Sequence, residues 1–502
     1  MNHFFLGLIL FFISAVASAD VVNVEDLNQK LQQRGAGWTA KQTWLNQLTK
    51  AEAKKLMGLR ENIGSEVEFE IEQTMTSRLP ETVDWRNKEN QNWISPIANQ
   101  ANCGSCVAFA AIGVLESQLN ISSVLPNLNM RLSTQNLFAC GGGYCDRGWY
   151  PSAAASYLMK KGVVDEACHP YVSGATGKDV KCTASCADTK KRLFKISGFS
   201  TPSRGATNIA AVKQALQKGP LMTTLTVYAD FMVYAGGVYK HTTGEQMGGH
   251  AVSIVGYDDK EQAFIIRNSW GKEWGEDGFG KVAYSDLSGI GDSTWGFQTP
   301  SMVGAVALQY PRDYDYITGQ VNFSAQSTFP KTQMMTATVF NKSGQAIWNA
   351  NCGNSNCEFS FDSTGFAEER YEMQITAFDD LGQNIATSTR QFFHIVNLQP
   401  TLGVSMTPQG TTYEKVFNGR VVFDVKTKSS SVPLSQIQFH YKNSEGIEKT
   451  KSAEVVLDSM SLGWRTNLLP NGTYEIWLSG AVKSNGMEVI ESTPIYKVQV
   501  KN

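Results

Sequence analysis

"NQANCGSCVAFAAIGVLESQL", residues 99–119, sets two cysteines three positions apart ahead of an apolar stretch, and the reading of that pair decides the fold. Phe109, Ile112, Leu115 and Leu119 recur at helical spacing, so Cys106 stands at a helix start and Cys103 in the glycine-containing loop before it. Free amides and the positive end of the helix dipole favour a thiolate at such a start. A redox Cys-x-x-Cys pair would instead follow a strand in a small βαβ fold. Here the preceding "WRNKENQNWISPIANQA" (85–101) is polar and loop-like.

Working outward, the 502 residues suffice for about three domains at roughly 150 residues each. The composition, 42% hydrophobic and 18% charged, is that of a globular protein with ample core material. A formal charge of -2 gives no global reason to expect nucleic acid or an anionic membrane surface as a partner. The opening "MNHFFLGLILFFISAVASAD" carries an apolar run, Phe4 to Ile13, then Ala17-Ser18-Ala19, the pattern of a secretory signal peptide over residues 1–19. The run is too short to anchor in a bilayer, and no later segment reads as a membrane span. Export, to the cell exterior or to another oxidising or lysosome-like compartment, favours disulfides among the nine cysteines. Nine is odd, so at least one thiol is left over, and Cys106 is the candidate.

A nucleophilic thiol needs a base, and His250 is the histidine with a suitable setting. In "GGHAVSIVGYDDKEQAFIIRNSWG" (248–271), two apolar runs flank a polar turn, which predicts an antiparallel hairpin. Centred on Asp259, that hairpin makes His250 and Asn268 direct cross-strand neighbours. An asparagine oxygen beside an imidazole accepts its N–H and fixes tautomer and ring orientation, the job of the third member of a catalytic triad.

"QANCGSCVAFA", "GGHAVSIVGYDD" and "IIRNSWGKEWGEDGFG" resemble the three catalytic blocks of papain-like cysteine peptidases, and "TVYADFMVYAGGVYKHTTGEQMGGHAVSIVGY" is similar to the cathepsin B branch. The resemblance spans roughly residues 20–308 and implies an α+β papain-like peptidase domain of two lobes, one helical and one a β-barrel. It implies Cys106 as nucleophile, His250 as acid/base, Asn268 as orienter of His250, and Gln100 as oxyanion-hole donor together with the Cys106 amide. Trp270 would cover the His–Asn hydrogen bond. The implied reaction is peptide-bond hydrolysis through a Cys106 thioester. One departure is Val107, where the family signature has Trp or Tyr. The resemblance also suggests the pairings Cys103–Cys145 and Cys140–Cys182, with Cys168–Cys186 closing a local loop and Cys352–Cys357 stapling a later hairpin. By parity alone, seven cysteines with one free allow fifteen connectivities.

For substrate, the resemblance implies backbone pairing at Gly148, with Trp149, Tyr150 and Gly249 near the P2 pocket, Trp270 at the cleft and Pro300 at the pocket floor, where cathepsin B has an acid. Arg147 stands where the family usually has Gly. The paired-histidine insertion that gives cathepsin B its dipeptide-releasing activity is missing from "HPYVSGATGKDVK" (169–181), so an endopeptidase is expected. Residues 20–78, helix-prone with Trp38 and Trp44, resemble an inhibitory pro-segment, an intramolecular partner cut near Arg78. "LPETVDWR" (79–86) resembles a mature N-terminus, giving a peptidase domain over 79–308.

After residue 309 apolar and polar residues alternate between Asn/Gly/Ser turns, the pattern of antiparallel sandwiches. Two all-β immunoglobulin-like domains, 309–398 and 399–502, are expected, with "NLQPTLGVSMTP" (397–408) as linker. They read as binding or spacer modules, a binding module taking a protein or glycan ligand, and Trp348 and Trp477 read as core rather than sugar-stacking residues. Sequons stand at Asn120, Asn322, Asn341 and Asn471. No cofactor and no metal site is expected. Two other readings stay open at this point. One is a weak or inactive homologue that binds peptides, which Val107 keeps in play, and the other is a thiol–disulfide exchanger using Cys103 and Cys106.

Overall fold

The computed structural model describes residues 22–60, 79–126, 130–183, 186, 189–300, 305–313, 315–329, 331–395, 403–408, 416–417, 420–428, 436–453, 459–465, 469–484, 487–492 and 495–501. The expected signal peptide and the cut near Arg78 lie outside the described residues.

Two lobes meet at a cleft. The helical lobe is built on Cys106–Ser122, a helix buried from Cys106 to Asn120. Its apolar residues face all ways because it forms the lobe's centre rather than its surface. Helices Thr134–Gly141 and Pro151–Lys160 pack around it. The second lobe is a nine-stranded sheet whose long strand, Gln246–Asp258, pairs with Leu221–Tyr228, Ala263–Arg267 and Thr82–Asp84.

The segment before residue 61 is part of this second lobe. Helix Val24–Gln33, capped by the Asn23 side chain, buries Leu27 and Leu31. A strand the sequence did not disclose, Trp38–Ala40, adds to the sheet edge against Tyr234–Tyr239. Leu27, Leu31, Trp38, Leu45 and Leu56 share one core with Phe231, Tyr234, Trp270 and Trp274.

The hairpin register differs from the expectation. Ser253 faces Arg267 and Gly256 faces Ile265, with a bulge between Ile254 and Gly256. Continued outward, that register sets Asn268 opposite Val252, not His250. His250 is two residues further along on the same face, a diagonal neighbour within reach of an imidazole.

Beyond residue 305 the chain is all β. Strands Val306–Tyr310, Gln320–Ser327 and Asn356–Asp362 form one sheet. Asp315–Ile317, Gln391–Ile395, Arg370–Phe378, Met334–Phe340 and Ala346–Cys352 form a second, joined by Asn384–Thr387. Their inner faces enclose Phe323, Phe361, Met373 and Phe393. Residues 403–500 repeat this layout, down to the parallel pair: Asp315–Ile317 on Gln391–Ile395 in one unit, Val416–Phe417 on Tyr496–Val500 in the other. The expected linker is therefore partly strand, since Gly403–Pro408 pairs with Arg420–Lys428. The first unit also begins earlier than residue 309. Trp348 packs edge-on against Phe323 and Phe361 inside that unit.

Four disulfides are present: Cys103–Cys145, Cys140–Cys182, Cys168–Cys186 and Cys352–Cys357. The last joins strands of different sheets rather than the two arms of a hairpin. Cys106 is the free cysteine.

Candidate active site

Cys106 opens its helix with its sulfur fully buried in the cleft, in reach of four backbone amides: its own and those of Val107, Ala251 and Gly58. Two belong to the helix start, where amides have no intrahelical acceptor. The third, Ala251, adjoins His250 and so brings the sulfur to the strand that carries the imidazole. Val107 is itself fully buried in the helical-lobe core, and its backbone contributes to the thiol's surroundings regardless of its side chain.

His250 Nε2 and Asn268 Oδ1 are 2.8 Å apart. Asn268 Oδ1 also accepts the Ser269 amide, which fixes it as the oxygen end of the side chain. His250 Nε2 therefore carries the proton, and Nδ1, buried without a hydrogen-bond partner, is the basic nitrogen. Trp270 stacks on the imidazole at 4.6 Å and 26°, shielding the His–Asn bond from water. Burial pushes the Cys106 thiol up to about 11 and pulls His250 down to about 4, the latter only partly offset by the Asn268 hydrogen bond. Thiol and imidazole are both neutral in this closed arrangement.

What closes the cleft is residues 56–60. Gln100 Nε2 donates to the Leu56 carbonyl and to the Cys103 carbonyl, both at 2.9 Å, while its Oε1 accepts the Ser269 hydroxyl. The Trp149 amide donates to the Gly58 carbonyl, the Arg60 amide to the Trp149 carbonyl and the Leu59 amide to the Gly249 carbonyl. The Leu59–Trp149 bridge is parallel. The approach is close enough that a Cβ on Gly148 would sit 2.0 Å from the Gly58 carbonyl oxygen. Gly148 also holds φ at +70°, a conformation only glycine adopts without strain.

Gln100, Cys106, Gly148, Trp149, Gly249, His250, Asn268 and Trp270 thus line one cleft. Tyr150 is at its rim, its ring 5.1 Å from the Arg60 guanidinium. Arg147 turns away onto Tyr144 and Asp146. Pro300 does not join them. Strand Thr294–Gln298 runs with Thr294 opposite Thr223 and Trp295 opposite Met222, so residues near 292 are level with Leu225 and hence with His250. Pro300 is exposed, eight residues beyond that level, roughly 25 Å of extended chain. Asn120 is buried and donates to the Trp93 carbonyl, so it cannot serve as a glycosylation site in the folded chain. Ser269 and Leu56, both partners of Gln100, are not assigned a role by the sequence: Ser269 lies in the Asn268–Trp270 block without a reactive partner visible there, and Leu56 has no motif of its own. Among the described residues no group of three or more His, Cys, Asp or Glu side chains could hold a metal.

Residues 79–295 match the family model of the papain family cysteine protease. A cathepsin B-like protein of Giardia intestinalis, CP3, is 37% identical over 211 residues, 41% of this chain and 70% of the relative. The chain therefore belongs to the papain family of cysteine proteases. A gut-specific cysteine proteinase of Caenorhabditis elegans is 31% identical over 246 residues, 44% of this chain and 74% of the relative. Among solved structures, procathepsin B S9 from Trypanosoma congolense is 26% identical, with a TM-score of 0.48, over 56% of this chain and all of that one. The β-rich units extend about 200 residues beyond the matched domain.

Proposed function

We propose that this chain is an exported cysteine endopeptidase made as a zymogen, with residues 20–78 as inhibitor and 79–308 as peptidase domain, which shares the strand Val306–Tyr310 with the first of two immunoglobulin-like units. The observation that carries the reading is the His250 Nε2–Asn268 bond, which leaves an unpartnered basic Nδ1 on the strand that touches the Cys106 sulfur. Once the cleft is open and hydrated, His250 Nδ1 takes the Cys106 proton, giving a thiolate–imidazolium pair. The thiolate attacks a peptide carbonyl, and the oxyanion receives hydrogen bonds from Gln100 Nε2 and the Cys106 amide. His250 then protonates the leaving amine, and water hydrolyses the thioester.

The pro-segment already occupies these groups. Its Leu56 carbonyl takes the Gln100 donor and its residues 58–60 take the Trp149 and Gly249 backbone. Its parallel run past Trp149 is opposite to the antiparallel pairing expected of substrate, so the peptide bonds over Cys106 have the wrong polarity for attack. The four disulfides support an oxidising destination. The loop 169–183 is short and stapled by Cys140–Cys182, which supports endopeptidase over dipeptide-releasing action. The immunoglobulin-like reading rests on the repeated two-sheet layout with a parallel terminal pair.

The test is labelling of the processed, unreduced protein with a peptidyl epoxide at mildly acidic pH, followed by peptide mapping. Stoichiometric adduct on Cys106, lost in His250→Ala, is expected. No adduct on Cys106 would overturn the reading and favour a peptide-binding homologue.

A further inference from the structure

The junction between the peptidase domain and the first β unit is not a tether. The strand Val306–Tyr310 is shared by two cores, with Ala307 in the helical-lobe core beside Trp295 and Phe297, and Val306 and Leu308 in the sandwich core. Alternate residues of a strand point to opposite faces, so one strand serves both. Beside it is a partly buried ionic cluster. Arg192 binds Asp165 through two nitrogens, and both side chains are almost fully buried. Glu372, on the β unit, is 3.6 Å from Arg192, 3.2 Å from Arg370 and 3.3 Å from Arg390. Arg370 also donates to the Ala167 carbonyl. The β unit therefore grips residues 165–167 from behind.

That loop leads directly to the cleft. Glu166 Oε1 accepts the Tyr171 amide at 2.7 Å. The Tyr171 hydroxyl donates to the Gln100 carbonyl at 2.9 Å and lies 2.6 Å from the Ser105 hydroxyl, while its ring packs edge-on against Phe109 of the central helix. One oxygen thus spans the loop from Gln100 to Ser105, whose two ends carry the Gln100 side chain and the amide of Cys106.

We infer that the first β unit buttresses the Gln100 side of the cleft through Arg370 and Glu372, and that Tyr171 is the positioning residue that transmits this support. The inference rests on the peptidase reading only for its kinetic consequence. An oxyanion donor displaced by about 1 Å costs up to about 10²-fold, and loosening the loop displaces the donor only in part.

The experiment uses the full-length chain with Tyr171→Phe, which deletes one oxygen, and Glu372→Gln, which keeps the side chain's volume. After processing, kcat on a peptide substrate should fall about tenfold in both. KM should hold within about twofold, and alkylation of Cys106 by iodoacetamide, which forms no oxyanion, should be unchanged. In the unprocessed chain, amide exchange across 99–106 should quicken in both variants, a readout independent of turnover. Unchanged exchange with unchanged kcat overturns the proposal while leaving the peptidase reading intact. A change confined to Tyr171→Phe overturns the β unit's part in it. If the parent chain shows no turnover the peptidase reading fails, and exchange alone decides the buttress.

Discussion

Replacing Gly58 with alanine would put a Cβ 1.9 Å from the carbonyl oxygen of Gly104, 2.3 Å from its carbon and 2.9 Å from its Cα. All three are backbone atoms, in a loop tied down by Cys103–Cys145 and by the Gly104 amide's bond to the Cys145 carbonyl, so no rotamer change relieves the clash. Residues 56–60 must lift, while Leu27, Leu31 and Trp38 stay in the second lobe's core. Overpacking at a site that can move away costs about 1–3 kcal/mol, which corresponds to about 5–150-fold in the fraction of chains with an open cleft. The assay is the rate at which a peptidyl epoxide labels Cys106 in the unprocessed chain, followed by intact mass before any cleavage occurs. Gly58→Ala should label faster by that factor and melt at nearly the parent temperature, because the lost contacts are local. Labelling at the parent rate would refute the claim that backbone proximity at Gly58 holds the cleft shut.

Asn268→Ala strips the His250 Nε2 proton of its acceptor and should lower kcat of the processed enzyme by about 10²-fold with little change in KM, read by steady-state kinetics. In the closed chain burial holds His250 near 4 instead of 6.5, so closure favours the neutral ring. That contribution is complete above pH 6.5 and is lost as pH falls toward about 4, so epoxide labelling of the unprocessed chain should accelerate through this window. Asp230, fully buried, accepts from the Tyr239 hydroxyl, the His241 ring and the amides of Thr242 and Thr243. Asp230→Ala should destabilise the unprocessed chain by about 3 kcal/mol or more in denaturant unfolding. It should also weaken the docking of residues 22–60, since Lys240 and Thr242 offer their carbonyls to Trp38 and Arg34.

The cleft was legible in the sequence to the extent that its chemistry is local. Cys106 at a helix start, His250 and Asn268 on one hairpin, and Gln100 just ahead of the thiol all follow from short-range pattern and family blocks. The hairpin's centre was misplaced because the polar run after Tyr257 does not mark where its strands stop: Asp258 already pairs with Ala263, the bulge at Ile254–Gly256 shifts the register back by only one step, and the longer reach of the imidazole made the contact survive the error. Pro300 was placed at the pocket because motif alignment ignores strand register, which puts it two residues beyond the far end of strand Thr294–Gln298. The Leu56–Gly58 contacts, the Tyr171 hydroxyl and the Glu372 cluster join residues tens to hundreds of positions apart, and nothing in composition or periodicity encodes such pairings.

The strand shared by two cores separates the limit of the homologous domain from the limit of the folding unit. A chain stopped at residue 295, where the family match ends, would lose the partner face of Ala307 and the ion pair of Arg192 with Glu372. It would carry a freshly opened apolar seam on its helical lobe, and such a fragment is expected to self-associate even with every cleft residue in place. Grafting a relative's shorter peptidase domain onto these β units would meet the same mismatch from the other side, so the two parts can be exchanged only together with the strand between them.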